Sequence, residues 1–235
     1  MTRRFFFPRW TNRFVVVLLI GILGFGAYAG AVTWFAIDPQ LINVGYSPRQ
    51  PLPFSHEVHA GKLKMDCRYC HNTVERAGHA AIPPTATCGN CHSPKDEQGI
   101  AAKAAVLTDS PKLELVRESI ETGQSIPWIK VHNLPDFVYF NHSAHVTAGV
   151  SCVSCHGRVD QMAQVAQVET LSMKWCLNCH RNPDPHLRPV DKVTQLDWTP
   201  ADDPEFEGMT AEEVGALVRE ELDLSPDTSC STCHR

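Results

Sequence analysis

All ten cysteines of this 235-residue chain fall in pairs, and every pair has the same form. The five stretches are CRYCH (67–71), CGNCH (88–92), CVSCH (152–156), CLNCH (176–180) and CSTCH (230–234). C-x-x-C-H is the attachment signature of c-type haem. Two thiols bond the two vinyl groups of one porphyrin, and the adjacent histidine reaches the iron from the proximal side. Zinc also uses C-x-x-C pairs, but tetrahedral sulfur coordination does not demand histidine at the next position. Disulfides, common in exported chains, do not account for it either. With histidine at about one residue in twenty, five out of five by chance is on the order of one in a million or less.

The cysteines alone thus predict five covalently bound haem c groups, held by Cys67 and Cys70, Cys88 and Cys91, Cys152 and Cys155, Cys176 and Cys179, and Cys230 and Cys233. His71, His92, His156, His180 and His234 take the proximal positions. A low-spin haem that only passes electrons needs a second protein ligand, and seven histidines remain for five irons: His56, His59, His79, His132, His142, His145 and His186. His56, His59, His142 and His145 are the leading distal candidates. His186, His79 and His132 form a second tier, for which hydrogen bonding to a haem propionate is the alternative role. Methionine is also a haem ligand and raises the potential, so Met173 and Met162 are candidates for one His/Met site.

The N-terminal stretch MTRRFFFPRWTNR (1–13) carries four arginines and no acid. Residues 14–37 carry no charge. As a helix they would span about 36 Å, enough to cross a hydrocarbon layer of about 30 Å. Arginines before the span and an acidic body after it predict a single-pass anchor in contact with lipid. The N-terminus would be cytoplasmic and residues 38–235 periplasmic or outward-facing. The rival reading is a signal peptide cleaved near Ala27-Tyr28-Ala29. The rest of the chain is polar; the whole chain has net charge −5 and no basic stripe interleaved with aromatics, so nucleic-acid binding has no support. A body so short of apolar side chains needs something else to fill its interior. The expected fold class is mainly α with long loops, wrapped round five haems, plus the transmembrane helix. Ser110-Pro111 opens a predicted helix ending at Gly123. Thr210 and Glu213 form a predicted capping box for another.

The segment PFSHEVHAGKLKMDCRYCH (53–71) has a twin in YFNHSAHVTAGVSCVSCH (139–156), an internal repeat offset by about 86 residues. The chain then divides into residues 1–13, the span 14–37, a linker 38–52, a first haem module 53–138 and a second 139–235. F-x-H-x-x-H before C-x-x-C-H resembles the class III cytochromes c. That resemblance implies that His56 serves the His71 haem and His142 the His156 haem. It also implies that His59 and His145 reach across to neighbouring haems, those of His92 and His180. A longer match runs through NVGYSPRQPLPFSHEVHAGKLKMDCRYCH, AIPPTATCGNCH, IPWIKVHNLPDFVYFNHSAH and SMKWCLNCHR. With the N-terminal anchor, these blocks resemble the pentahaem cytochrome c subunit of bacterial alternative complex III over roughly residues 10–190. Beyond Pro189 only CSTCH carries the resemblance.

The resemblance implies a respiratory-chain subunit of the bacterial inner membrane that relays electrons from a quinol-oxidising assembly to a downstream cytochrome or terminal oxidase, with no catalytic residues of its own. It implies as partners an iron–sulfur subunit, polytopic quinol-binding membrane subunits, a monohaem cytochrome c and a terminal oxidase. Three rivals stay open. An anchored multihaem quinol dehydrogenase would call for a methionine two residues after a motif histidine near the anchor, where this chain has Asn72-Thr73 after His71. A multihaem reductase needs an open iron position, against which seven spare histidines argue. A periplasmic carrier follows if the leader is cleaved.

Overall fold

The computed structural model describes residues 7–8, 10–37, 43–93 and 106–234. Arg3, Arg4, Arg9 and residues 38–42 lie outside that set. The chain divides into two compact units, residues 1–43 and 44–235.

The first unit is one helix, α1 (Trp10–Ile37), whose stretch Trp10–Trp34 is long and apolar enough to cross a membrane. It starts four residues before the uncharged run, because nothing in Trp10-Thr11-Asn12-Arg13 breaks a helix.

The second unit is helical with long connections. A π-helical turn (Glu57–Lys62) is followed by α2 (Cys67–Cys70), α3 (Thr85–His92), α4 (Glu114–Thr122), α5 (His142–Thr147), α6 (Val153–His156), α7 (Met173–Arg181), α8 (Ala211–Glu221) and α9 (Cys230–Cys233). Among the described residues there is no strand, only the isolated bridges Val138–His234 and Val150–Leu187. Several helix starts are set by side-chain capping. The Ser110 hydroxyl accepts from the Lys112 amide, Pro111 opens a short 3-10 turn that feeds α4, and Gly123 closes it at φ +70°. Asn141 Oδ1 accepts from the Ser143 and Ala144 amides at the head of α5. At α8, the Thr210 hydroxyl accepts from the Glu213 amide at 3.2 Å and the Glu213 carboxylate accepts from the Thr210 amide at 2.7 Å.

Buried hydrophobic residues number ten among the described residues, and all are Leu, Ile or Val. They form small separate clusters. Leu52, Val116 and Ile126 hold α4 beside α3, whereas Val74, Val146 and Val193 tie α2 and α5 to the loop before residue 194. For a unit of this length that is a thin core, with no aromatic among its buried residues, although Trp128 packs against the first cluster. The best-packed satellite is α8 on the turn Asp184–His186. Val214 and Val218 are buried there, and Arg219 grips Asp184 with two hydrogen bonds of 2.6 and 3.2 Å. Gly215 faces the Asp184 carbonyl so closely that a methyl group would run into it.

Thr210→Ala should cost about 1 kcal/mol through the lost cap, and Gly215→Ala about 1–3 kcal/mol through overpacking, both read by urea unfolding of the full chain. Asp66 caps α2 and binds Arg68 and Thr194. Chiefly the Arg68 hydrogen bond holds its carboxyl at about 2, below the ordinary value of about 3.9. The depressed value means that Asp66 stabilises the fold above its ordinary range, and that this is lost as pH falls toward about 2. Asp66→Asn should therefore make acid unfolding shallower between about pH 4 and 2, with the wild-type slope in that window as the contrary result.

Candidate functional site

Each C-x-x-C pair lies on or beside a single helical turn. Residues three apart on a helix share one face, so Cys67 with Cys70, and likewise each other pair, present both sulfurs to the same side, and the histidine follows at the fourth step. None of the ten cysteines is paired in a disulfide. Among the described residues, no three His, Cys, Asp or Glu side chains gather as a metal-ion cluster.

The histidines have a common anchoring. His71 Nδ1 is 2.9 Å from the Ala81 carbonyl, His92 Nδ1 2.7 Å from that of Val106, His180 Nδ1 2.8 Å from that of Asp227 and His234 Nδ1 3.2 Å from that of Phe137. The distal candidates do the same: His59 on Ser55 at 2.9 Å, His142 on Gly78 at 3.0 Å and His145 on Asn141 at 2.7 Å. A carbonyl can only accept, so Nδ1 carries the proton and Nε2 keeps its lone pair for a metal. His59 and His145 achieve this within their own turn, four residues back. His142 instead needs the 77–78 loop, which also accepts the His142 and Ser143 amides.

The ring spacings sort these histidines into pairs. His59 and His92 have ring centres 6.2 Å apart, His142 and His156 6.4 Å, and His145 and His180 6.2 Å. Two imidazoles on opposite faces of one metal, each bound at about 2.0 Å, have ring centres about 6.3 Å apart. The repeat in sequence is also a repeat in geometry. Phe54 stands edge-on to His56 at 4.8 Å and 88°, and Phe140 to His142 at 4.8 Å and 88°. Phe54 stacks on His59 at 4.5 Å, and Phe140 packs on His145 at 4.4 Å.

The remaining candidates are less uniform. His56 Nδ1 is buried without a partner, and His71 is among its electrostatic neighbours. His132 Nε2 is likewise buried and unpartnered, and its ring abuts that of His156 at 4.4 Å, too close for an iron between them. His234 has Phe137 as ring neighbour at 5.7 Å. His79 is exposed beside His142. His186 helps line a cavity of about 360 Å³ with Trp175, Cys179 and Asn182. Met162 takes the Glu57 amide on its carbonyl, next to His56. Met173 opens α7 with 67% of its surface exposed.

Burial keeps these rings neutral, which is the ligating form. It lowers His56 to about 4, helped by His71 and His59, and His156 to about 3, helped by His132, His142 and others. Burial also lowers His132, His142 and His145. The thiols shift the other way. Burial, then Cys179 and Cys176, pushes Cys155 up to about 12, and burial, then Cys88, raises Cys70. In the touching pair Cys67 and Cys152, the sulfur–sulfur hydrogen bond lowers the former and raises the latter.

The residues therefore fit c-type haem on three counts: paired sulfurs on one face, free Nε2 atoms, and rings held apart at the width of an iron. Sequence reasoning missed the carbonyl anchors Ala81, Val106, Asp227 and Phe137. It also missed the tie between the first two motifs, in which Asn90 Nδ2 donates to the Tyr69 hydroxyl at 3.1 Å.

Comparison with known proteins agrees at this level. Residues 52–107, which hold the first two motifs with His56 and His59, match the family described as cytochrome c7 and related cytochrome c. Over 123 residues the chain is 35% identical to the menaquinone reductase multihaem cytochrome c subunit of Nitratidesulfovibrio vulgaris (strain Hildenborough), covering 52% of this chain. The match spans 51% of that relative, about half its length. The segment is thus of multihaem cytochrome c type, and the chain is similar to a subunit of a quinone-linked complex.

Asn141→Ala should remove the cap of α5 and cost about 1 kcal/mol, measured by thermal unfolding. The loss should appear even though Asn141 touches neither His142 nor His145 with its side chain; unchanged stability would refute the capping role.

Proposed function

We propose that this chain is a pentahaem c-type cytochrome, anchored by α1. It relays electrons between a quinol-oxidising partner assembly and a downstream cytochrome or terminal oxidase, as the subunit it resembles does in alternative complex III. The observation that carries this reading is the set of three histidine ring pairs spaced at 6.2–6.4 Å. Bound haem c supplies a reversible one-electron couple at iron. The cysteine pairs would hold such a group covalently. The histidines, seven of them anchored through Nδ1 to a carbonyl, would present Nε2 to its iron, so that little would reorganise when the charge on it changes. His56 opposite His71 would complete a fourth pair. Met173, Met162 and His186 are the candidates opposite His234. A chain with both axial positions filled is an electron-transfer subunit rather than an enzyme.

The name of the relative supports a second reading of direction, in which electrons pass from the cytochrome to menaquinone. The same residues serve both directions, and the partner decides between them. An iron–sulfur subunit, polytopic quinol-binding subunits and a monohaem cytochrome are the proposed partners for the first.

The native chain should carry the added mass of five haem groups and stay in the membrane pellet after an alkaline wash. Purified in mild detergent, it should retain a quinol-binding membrane partner, and quinol added to that assembly should reduce it. A mass without haem, or release of a chain cut near Ala29, would end the relay or the anchor respectively. Reduction of added menaquinone by the reduced assembly, with no reaction in the opposite sense, would establish the second direction.

A further inference from the structure

Chain order and spatial order of the five motifs differ. The π-helical turn and its flank carry His56 and His59 three residues apart, and the His59 ring stands 6.2 Å from that of His92. Asn90 of the second motif also donates to Tyr69 inside the first. The second motif is therefore fastened to the first. The first is fastened in turn to the third. Cys67 Sγ lies 3.8 Å from the Thr194 carbonyl, and the Cys152 amide donates to the neighbouring Val193 carbonyl at 3.2 Å. The leading cysteines of the two motifs thus rest on adjacent residues of one loop. Val74, just after the first motif, shares a buried cluster with Val146 of α5.

From the third motif the row goes on through α5, which presents His142 to His156 at 6.4 Å and His145 to His180 at 6.2 Å. Asp227 makes the last joint. Its carbonyl holds His180 Nδ1 at 2.8 Å, and its carboxylate accepts from Thr232, inside the fifth motif, at 2.8 Å. The fifth motif is also pinned to residues 137–139, the segment leading into α5.

Resting on the relay reading above, we infer that the attachment sites form one unbranched row in the order second, first, third, fourth, fifth motif. Electrons then enter and leave this chain at the second and fifth motifs. The first motif, although first in sequence, is interior and meets no outside donor or acceptor. Each hop moves one electron, oxidising the site that gives it by one and reducing its neighbour by one, and no atom is transferred. The redox partners are a quinol-derived donor and a one-electron protein acceptor, and they dock at opposite ends. The duplication explains the pattern: the two copies meet through their leading motifs, so the trailing motifs lie on opposite sides of that junction, and the fifth motif extends the row beyond the fourth.

The test uses the full haem-loaded chain in detergent. Two variants are made, Cys67→Ala/Cys70→Ala and Cys88→Ala/Cys91→Ala, and mass confirms four haems in each. Neighbouring low-spin ferric haems broaden and relax one another in electron paramagnetic resonance. Loss of the first attachment should leave one spin in four magnetically isolated, that of the second motif. Loss of the second attachment should leave all four coupled. The reverse result, or four coupled spins in both, overturns the order. Should the first variant fail to mature, iron anomalous positions in crystals of the wild-type chain serve instead. The iron bound by His71 is expected between those of His92 and His156, and finding it at an end overturns the proposal. A wild-type chain without five haems refutes the relay itself and is seen in the mass before either variant is compared.

Discussion

The hydrogen bond from imidazole Nδ1 to a backbone carbonyl is what the rest of this structure serves. It costs one carbonyl per ring and does two things at once. It selects the tautomer whose Nε2 can bind a metal, and it fixes the plane of the ring. Seven histidines make it. The helices are too short and the core is too thin to hold such rings by packing alone, so the ring orientations are set by main chain. Phe54 and Phe140 then lock the two distal pairs from the side, one edge-on contact and one face contact each.

This division explains the unusual interior. A protein that buries large aromatics gains much of its stability from them. Here the buried hydrophobics are all aliphatic, and Phe137, Tyr139 and Tyr69 are exposed in the polypeptide. A flat apolar group held by thioethers would cover such surfaces and replace the missing core. Satellite structure such as α8 is stabilised independently, by its capping box and by Arg219 on Asp184.

Much of this was legible in the sequence because its causes are local. A C-x-x-C-H is five adjacent residues, a capping box is four, and the F-x-H-x-x-H repeat keeps its Phe–His ring contacts in both copies. The start and end of the helix after Ser110 follow from residues at its ends, apart from the 3-10 geometry of the first turn. The pairings of His59 with His92 and His145 with His180 needed the family resemblance. The anchors were invisible, because any residue has a carbonyl. Nothing about Ala81, Val106 or Phe137 as residue types marks them, and they lie 10, 14 and 97 positions from the rings they hold. The copies also differ where sequence suggested identity. His56 precedes a π-helical turn with its Nδ1 unpaired, while His142 begins an α-helix and is anchored by Gly78.

The carbonyl of Asp227 bears on how such a chain is assembled. On the relay reading, the thiols of the fourth motif would be complete once residues 176–180 have been synthesised. The ring of His180 would acquire its fixed orientation only when a residue 47 positions later arrives. Attachment at that motif would then be local and early, and orientation of its histidine long-range and late.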